Sequence, residues 1–313
     1  MYLKIKNRDP PKAQKIDDSE LVMVHTPSKY NLALASELLS YADPTDPIIK
    51  QVIIRTIESL SGKRKLARLY ATLMDVIEDD DDFWRLSLEL LDVELEFDQR
   101  QLAKMPSDGP LVIVANHPFG VLDGLAICYL TAQIRVEFKV LTHALLCRDR
   151  RLDPYLLPIE FSENREAIRT NVRARQNAVA ALQRGEAVIV FPSGGVATAP
   201  TPFGAAVDLE WKTFVVKVLK QSEAAVVPMF FHGQNSRLFQ LVSQVSLTLR
   251  LSMIMHEVCN KIGQRLRVTI GDPLPFAELY YNGDRQALTA QLRRLTEELG
   301  GVTKSKLRLP AYL

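Results

Sequence analysis

The sequence is poor in the features that mark disulfide scaffolds and membrane-spanning chains. Its 313 residues include three cysteines, Cys128, Cys147 and Cys259, whose spacing fits neither a metal-binding motif nor a disulfide framework. So few cysteines suit a reducing compartment. No uninterrupted run of about 18 apolar residues occurs, so no membrane-spanning helix is expected. The N-terminal residues MYLKIK lack an apolar core, so no secretory signal is expected either.

Charge of neither sign is in large excess, because the net charge is only +2. The distribution is uneven. Residues 75–98 carry eleven acidic side chains and one basic one, whereas residues 235–270 carry five basic side chains and one acidic one. If the basic segment is exposed, it could contact anionic lipid, with each residue contributing about 1 kcal/mol. Both segments are also compatible with an ordinary solvated surface, and we expect no nucleic-acid partner.

The composition, 47% hydrophobic and 24% charged, is that of a globular protein with a substantial core. Apolar runs alternate with helical patterns, which predicts an α/β fold with a mainly parallel sheet flanked by helices. We predict a polar arm and helical prefix over residues 1–92, the α/β domain over 93–276, and a C-terminal helix and tail over 277–313. Strands are predicted at 93–97, 111–115, 136–141, 187–191, 224–231 and 267–270, with Pro228 marking an end or a bulge. Helices are predicted at 31–41, 47–60, 66–77, 83–91, 122–131, 144–147, 170–184 and 284–300, and helix is favoured over strand at 238–259.

One segment, residues 111–124 (LVIVANHPFGVLDG), organises the predicted domain. Its apolar first half is long enough for a buried strand, which ends abruptly at Asn116 and His117. Beyond Gly120 the apolar residues resume with helical spacing, and Asp123 falls in the first turn of that helix. Open α/β sheets place their chemistry at such strand-to-helix crossings.

His117 and Asp123 are the candidate catalytic pair. An imidazole acts as a general base when one ring nitrogen is free to take a proton and the other is held by a partner that favours the imidazolium. Asp123 can be that partner, because a turn through Pro118 and Gly120 can fold the two side chains together. Such assistance contributes roughly 10²–10⁴-fold to a rate. The alternative is that the histidine only caps the helix and the acid only favours its dipole.

A second segment of the same form follows the predicted strand at 187–191. It reads Phe191-Pro-Ser-Gly-Gly195. Such a turn exposes backbone N–H groups and lets a substrate approach closely, because glycine has no side chain. From these residues alone, a plain tight turn is the simpler interpretation.

The Asn116-His117 pair followed by an acid on a new helix resembles the signature of the glycerolipid (lysophospholipid) acyltransferase superfamily. The pattern Asn-His-Pro-x-Gly-x-Leu-Asp-Gly is more similar to the bacterial haemolysin-like branch of that superfamily. In the commoner pattern four residues separate the histidine from the acid, and here five do, as in the haemolysin-like branch. We therefore expect Gly120 to absorb the extra residue. The resemblance covers roughly residues 95–275.

The resemblance also implies residues that hold the acceptor. Pro192 and Gly194 match the superfamily's Pro-Glu-Gly-Thr-Arg block. Ser193 and Val196 replace its two charged residues, which argues against a lysophosphatidate-like acceptor and leaves room for a lyso-ornithine type of lipid. An arginine that follows a helix matches the place of the superfamily's phosphate-binding arginine. The predicted substrate-binding set is Asn116, Gly120, Arg148, Pro192, Ser193, Gly194 and Gly195.

The function implied is that of an acyltransferase that moves a fatty acyl group from acyl-CoA or acyl-carrier protein to the hydroxyl of a lyso-lipid. His117 would be the general base, Asp123 would orient it, and backbone N–H groups near Gly194 and Gly195 would bind the oxyanion. No metal and no further cofactor is expected. The enzyme would be cytoplasmic and in peripheral contact with the anionic inner face of the cell membrane. Two alternatives stay open, namely a lipid-binding protein without turnover and a thioesterase or lipid hydrolase.

Overall fold

The computed structural model describes residues 3–4, 29–40, 42, 47–77, 83–143, 149–160, 164–201, 203–279 and 283–301. Strands within this part of the chain are β1 (Leu3–Lys4), β2 (Glu94–Phe97), β3 (Leu111–Ala115), β4 (Phe138–His143), β5 (Leu156–Ile159), β6 (Ala187–Val190), β7 (Ala225–Phe231) and β8 (Arg265–Ile270). Helices are α1 (Lys29–Leu38), α2 (Ile48–Leu60), α3 (Lys63–Val76), α4 (Phe83–Leu90), α5 (Gln99–Leu102), α6 (Val121–Ala132), α7 (Arg165–Gln183), α8 (Phe214–Ser222), α9 (Arg237–Val245), α10 (Leu247–Asn260) and α11 (Arg285–Leu299). Short 3₁₀ turns cover Arg150–Leu152 and Phe276–Glu278.

The described strands form one sheet in the order β1-β2-β8-β7-β3-β6-β4-β5. The pairings β2–β8, β7–β3, β3–β6, β6–β4 and β4–β5 are parallel, and only β1–β2 and β7–β8 are antiparallel. The prediction of a mainly parallel α/β sheet is therefore confirmed. Because β3 lies between β7 and β6, its end is at the middle of the sheet.

Both faces of the sheet are covered, which explains the uninterrupted apolar run of β3. Leu111 and Ile113 belong to one buried cluster, which includes side chains of α3, α4, α6 and α10. Val112 and Val114 belong to the cluster on the other face, with side chains of α7, α8 and α11. Since successive strand residues point to opposite faces, a strand buried on both faces needs apolar residues at every position.

The predicted prefix and C-terminal helix pack on these same two cores. Ile54 of α2 and Trp84 of α4 lie in the cluster of Ile113. Leu288 and Leu292 of α11 lie in the other cluster. None of the described helices combines the length and apolarity needed to cross a bilayer.

Several elements differ from the sequence prediction. Helix α8 and strand β5 were not predicted. The first is rich in valine, which favours strands, and the second contains Pro158, which an edge strand tolerates. Residues 237–260 are helical, as favoured, but Ser246 divides them into α9 and α10 and caps the second helix. The predicted helix at 144–147 lies outside the described residues.

Pro228 lies inside β7 and does not end it. Its carbonyl accepts the N–H of Gly271 in the turn after β8. Because the nitrogen and the carbonyl of a strand residue point to the same side, the nitrogen that lacks a hydrogen faces this turn and not β3. A β-carbon on Gly271 would come within 2.7 Å of the proline ring. The glycine therefore lets the turn pack closely against the proline.

Candidate active site

The candidate site lies at the carboxyl edge of the sheet, where β3, β6 and β7 end side by side. The parallel pairing of β3 with β6 and with β7 brings the loops that follow them to one edge. These loops carry Asn116-His117, Phe191–Gly195 and His232–Ser236. The topology alone thus joins the two segments that the sequence pattern identified.

His117 and Asp123 lie close together, as their spacing predicts. Nδ1 of His117 is 3.1 Å from Oδ2 of Asp123, and the two side chains are 17% and 0% exposed. The ring is not turned to make a well-aligned hydrogen bond. Contacts of this kind in sites without substrate often tighten when the substrate binds. Because Nδ1 is buried against the carboxylate, the accessible part of the ring is the remainder, which includes Nε2.

The carboxylate of Asp123 is fixed by backbone donors. Its Oδ2 accepts the N–H groups of Phe119 at 2.8 Å and Gly120 at 2.9 Å. Burial raises the pKa of Asp123, while the contact with His117 and the two N–H groups act in the opposite direction. Oδ2 of Asp123 therefore holds the turn at Phe119 and Gly120 and also faces the imidazole of His117.

Gly120 adopts a conformation that allows this turn. Its φ and ψ are 81° and −116°, a combination that is essentially restricted to glycine. A β-carbon here would also come within 3.1 Å of Val196 and 3.7 Å of Ile254. This agrees with the expectation that Gly120 accommodates the longer loop. Its N–H serves Asp123, and its predicted contact with substrate stays a prediction.

The backbone of His117 is held on both sides. Its N–H donates to Oδ1 of Asp208 at 2.9 Å, and its carbonyl accepts the N–H of Ala197 at 2.8 Å. The other oxygen of Asp208 accepts the indole N–H of Trp211 at 2.9 Å. Burial raises the pKa of Asp208 to about 6, although these donors lower it. The ring of Phe191 stacks on the imidazole with centroids 4.2 Å apart, so the histidine has little freedom to turn.

Asn116 joins the ends of two strands. Its Nδ2 donates to the carbonyl of Phe231 at 2.9 Å, and its Oδ1 accepts the N–H of Phe231 at 2.7 Å. The side-chain amide therefore completes the pairing of β3 with β7 at the point where the strands end. The predicted contact of Asn116 with substrate stays a prediction.

The loop after β6 offers one of the two predicted oxyanion donors. The Gly194 N–H donates to the carbonyl of Phe191 at 2.9 Å, so it closes the turn and is not free for an oxyanion. This corrects the prediction for Gly194. Pro192 and Ser193 are buried, and the hydroxyl of Ser193 donates to the carbonyl of Gly195 at 3.1 Å. The Gly195 N–H has no acceptor among the described residues.

The remaining sequence candidates within the described part of the chain have other partners. Arg148 lies outside the described residues. Arg151, in the same basic run, pairs with Asp149 at 3.2 Å. Nε2 of His232 lies 2.7 Å from Oγ1 of Thr269 on β8, which indicates a structural role. No cluster of His, Cys, Asp or Glu in the described part of the chain could hold a metal ion.

Sequence reasoning missed two residues near the site. Asp208 follows His117 by 91 positions in a loop without a recognisable pattern, and only the folded chain shows that it holds the histidine backbone. Arg250 of α10 was noted only as one member of a basic segment. Its Nη2 lies 3.9 Å from the place that a β-carbon on Gly195 would occupy. The sequence offered one signal for Arg250, namely that it precedes Ile254 by four positions and therefore shares a helical face with it.

The chain is similar in sequence to a family model and to named bacterial proteins. Residues 91–300 match a family model described as Acyltransferase. The Lyso-glycine lipid O-acyltransferase of Bacteroides thetaiotaomicron is 30% identical over 206 residues, which cover 62% of this chain and 71% of the relative. The protein of the same name from Phocaeicola vulgatus is 28% identical over 206 residues, which cover 62% and 69%.

A solved structure also aligns with this chain. It is the 1-acyl-sn-glycerophosphate (LPA) acyltransferase PlsC from Thermotoga maritima, with a TM-score of 0.45 and 16% sequence identity. The alignment covers 88% of this chain and 98% of that one.

Proposed function

Because the chain belongs to the acyltransferase family, we propose that it moves a fatty acyl group from an acyl thioester to the hydroxyl of a lyso-lipid, with His117 as general base. The observation that carries this proposal is the contact between the imidazole of His117 and the buried carboxylate of Asp123 at the edge of the sheet. A pure lipid-binding protein would gain nothing from an imidazole held in this way.

The proposed reaction needs no covalent enzyme intermediate. As the lipid hydroxyl attacks the thioester carbon, Nε2 of His117 takes its proton, and Asp123 stabilises the imidazolium that forms. The tetrahedral intermediate then collapses, the carbon–sulfur bond breaks, and the imidazolium returns the proton to the departing sulfur. An ester and a free thiol are the products. Acyl-CoA and acyl-carrier protein both supply such a thioester.

The free N–H of Gly195 is the proposed donor to the developing oxyanion. It lies in the loop whose Phe191 ring stacks on His117, so it is close to the general base. One such donor can stabilise a tetrahedral intermediate by about 3 kcal/mol.

The relatives support a lyso-aminolipid as the acceptor. Both are named for a lyso-glycine lipid, and the loop from Pro192 to Val196 in this chain carries no charged side chain. We therefore propose an acceptor with a small amino-acid headgroup in place of a lysophosphatidate.

An exposed apolar surface, which we call the α2–α9 face, is the proposed membrane contact. Helix α10 packs against both α2 and α9, and a groove of about 500 Å³ lies between α2 and the start of α10. Large exposed apolar patches mark interaction sites, and we propose that the exposed apolar residues of α2 and α9 act together as one such patch. The face consists of Ile48, Ile49, Val52, Ile53, Leu238, Leu241 and Val245.

The basic segment at 235–270 does not form this surface as a block. Arg265 pairs with Glu94 at 3.0 Å, and Arg250 is partly buried. Exposed basic side chains lie instead on α2 and α3, at Arg55, Arg64, Lys65 and Arg68. They could contact anionic lipid headgroups beside the apolar face.

Acceptor-dependent release of thiol from an acyl thioester tests the proposed function. Acyl-CoA and acyl-carrier protein would be supplied in separate reactions, with a hydroxyacyl-glycine as acceptor, and the ester product would be identified by mass spectrometry. Replacing His117 by alanine should lower the rate roughly 10²–10⁴-fold.

His256→Ala is the matched control for this substitution. His256 lies on α10, two positions from Ile254 and therefore on another face of the helix, so the variant should keep wild-type activity. Equal turnover by wild type and His117→Ala would overturn the proposal. Thiol release without an acceptor would show a thioesterase, and the absence of any turnover would favour a lipid-binding protein.

A further inference from the structure

Among the described residues, Arg250 has no protein partner for its charge, and it lies at the edge of the candidate site. It lies in the first half of α10 and is partly buried. Within the described residues its guanidinium has neither an ion pair nor a hydrogen bond to a protein acceptor, whereas Arg265 and Arg293 pair with carboxylates. Burial lowers the pKa of Arg250, with no nearby carboxylate to oppose this effect. A partly buried, unpaired guanidinium is costly unless an anion joins it.

The position of Arg250 connects it to the catalytic loops. Its Nη2 lies 3.9 Å from the place of a β-carbon on Gly195, the residue whose N–H has no acceptor. One helical turn further along α10, Ile254 packs 3.7 Å from the corresponding place on Gly120. This face of α10 therefore covers both loops that surround His117.

We infer that Arg250 binds the anionic headgroup of the lyso-lipid acceptor, a carboxylate in the case of an amide-linked amino-acid headgroup. The inference rests on the proposed function. A guanidinium matches a carboxylate with two parallel hydrogen bonds, and the Gly195 N–H, which has no acceptor among the described residues, lies in the loop beside Arg250. Arg250 would thus select the acceptor by its headgroup.

The acceptor fits this place better than the acyl donor does. In acyl-CoA and acyl-carrier protein, the nearest phosphate lies at the far end of the pantetheine arm from the thioester carbon. In a lyso-lipid with an amino-acid headgroup, the carboxylate lies only a few bonds from the acceptor hydroxyl. Arg250 is next to the loops that hold His117, so it is near the reacting atoms. Leu249, its neighbour in the chain, lines the groove beside the α2–α9 face, from which a lipid could enter.

Steady-state kinetics with two acceptors test this assignment. One is a hydroxyacyl-glycine, and the other is the same molecule with its carboxylate converted to the primary amide. For Arg250→Gln, the KM for the carboxylate acceptor should rise roughly tenfold to a hundredfold, the loss expected for a charged hydrogen-bonded pair. Its kcat should change little, and its KM for the amide should stay near the wild-type value. Arg250→Lys should restore part of the preference for the carboxylate.

Arg265→Gln is the control, because Arg265 is exposed and pairs with Glu94 away from the site. A rise in the KM for acyl-CoA with no change for the acceptor would overturn the inference and assign Arg250 to the donor. Unchanged preference between the two acceptors would overturn it as well.

A binding measurement separates this inference from the proposed function. Equilibrium dialysis of N-lauroylglycine and N-lauroylglycinamide needs no turnover. If the wild type releases no thiol, the proposed reaction fails. The anion site is then tested by binding alone. It is supported if Arg250→Gln weakens binding of the carboxylate and not of the amide, and it is overturned otherwise. Circular dichroism of each variant checks that the chain is folded.

Discussion

At the scale of single residues, His117 is positioned by groups that act on its backbone as much as by its carboxylate partner. Asp123 faces the ring, but Asp208 and Ala197 hold the main chain on either side of it. In the proposed mechanism, moving any of these groups would displace the imidazole relative to the substrate, and small displacements of a catalytic group lower the rate strongly. The buried carboxylate of Asp208 is therefore a positioning residue.

Asp208 should make the stability of the protein depend on pH. Burial raises its pKa from an ordinary value of 3.8 to about 6. Between these values the folded protein keeps a proton that the unfolded chain has released, so this group lowers stability as the pH rises through the window. The stability of the wild type relative to Asp208→Asn should fall by roughly 2 kcal/mol between about pH 4.5 and about pH 7. Urea unfolding of both proteins at several pH values measures this difference.

The control for Asp208 is Asp272, an aspartate whose pKa is lowered in the folded protein. Hydrogen bonds from Lys104 and Gln101 lower the pKa of the exposed Asp272. The stability of the wild type relative to Asp272→Asn should therefore not fall with rising pH. A gap between wild type and Asp208→Asn that is constant with pH would show that the buried carboxylate does not titrate in this window.

Two glycines four residues apart should respond to alanine with opposite signs. Gly120→Ala forces a side chain into a strained conformation beside Val196, which should cost about 1–3 kcal/mol and disturb the N–H groups that hold Asp123. Gly124 lies in α6 with no heavy atom within 4 Å of an added β-carbon. Gly124→Ala should therefore stabilise the protein by about 0.5–1 kcal/mol. Thermal unfolding of both variants measures the two effects, and a stable, active Gly120→Ala would contradict the proposed turn.

The proximity of the candidate catalytic pair was predictable from the sequence because its two members are neighbours in the chain. One strand end, one turn and one helix start are enough to bring His117 to Asp123. Asp208 and Arg250 reach the same place from distant segments, and no local pattern fixes where those segments fold. Gly194 shows a different limit, since the sequence indicates a turn at this glycine but the direction of its N–H depends on the type of turn.

At the scale of secondary-structure elements, a buried ion pair links α2 to α3. Glu58 is completely buried, and its Oε2 accepts Nζ of Lys63 at 2.8 Å and the hydroxyl of Ser40 at 2.8 Å. Lys63 follows Gly62, whose φ of 86° turns the chain between the two helices. The pair therefore sets the angle between α2 and the helix after it.

Removing the charge of one partner of this pair should lower the stability of the protein more than removing both charges. Lys63→Met leaves the buried carboxylate of Glu58 without its lysine, which should cost about 3–5 kcal/mol. The double variant Glu58→Gln/Lys63→Met removes both charges and should recover part of that loss. Denaturant unfolding of the single and double variants measures the coupling. A double variant that is less stable than Lys63→Met would contradict the assigned role of the lysine.

The elements that the sequence predicts are those with one strong periodic signal. The fully apolar β3 and β6, and helices such as α6, have apolar residues at the spacing that their burial requires. Helix α8 has valines at Val215, Val216 and Val218, all completely buried. Three β-branched residues indicate strand by propensity, and only packing between the sheet and α7 and α11 makes this segment a helix. The break at Ser246 depends on a capping hydrogen bond within an otherwise continuous apolar pattern.

At the scale of the whole molecule, the site and the proposed membrane contact are connected through α10. One face of this helix covers the loops around His117, and the start of the helix borders the groove beside α2. Arg250 lies in the first half of the same helix, next to Leu249, which lines that groove. The proposed membrane contact and the candidate pair are thus linked by one helix, a relation that no single segment of the sequence reveals.

Binding to lipid vesicles should depend on the α2–α9 face and not on exposed apolar residues in general. Ile49 is 76% exposed on this face, and Val136 is 88% exposed on the turn before β4. Ile49→Glu should weaken sedimentation with phosphatidylcholine–phosphatidylglycerol vesicles by roughly tenfold or more, because a buried isoleucine contributes about 1.5–3 kcal/mol and the new charge repels the anionic surface. Val136→Glu should bind as the wild type does, and both variants should unfold at the wild-type temperature, because neither side chain is part of a core. Equal losses for the two variants would show that the protein contacts the vesicles through another surface.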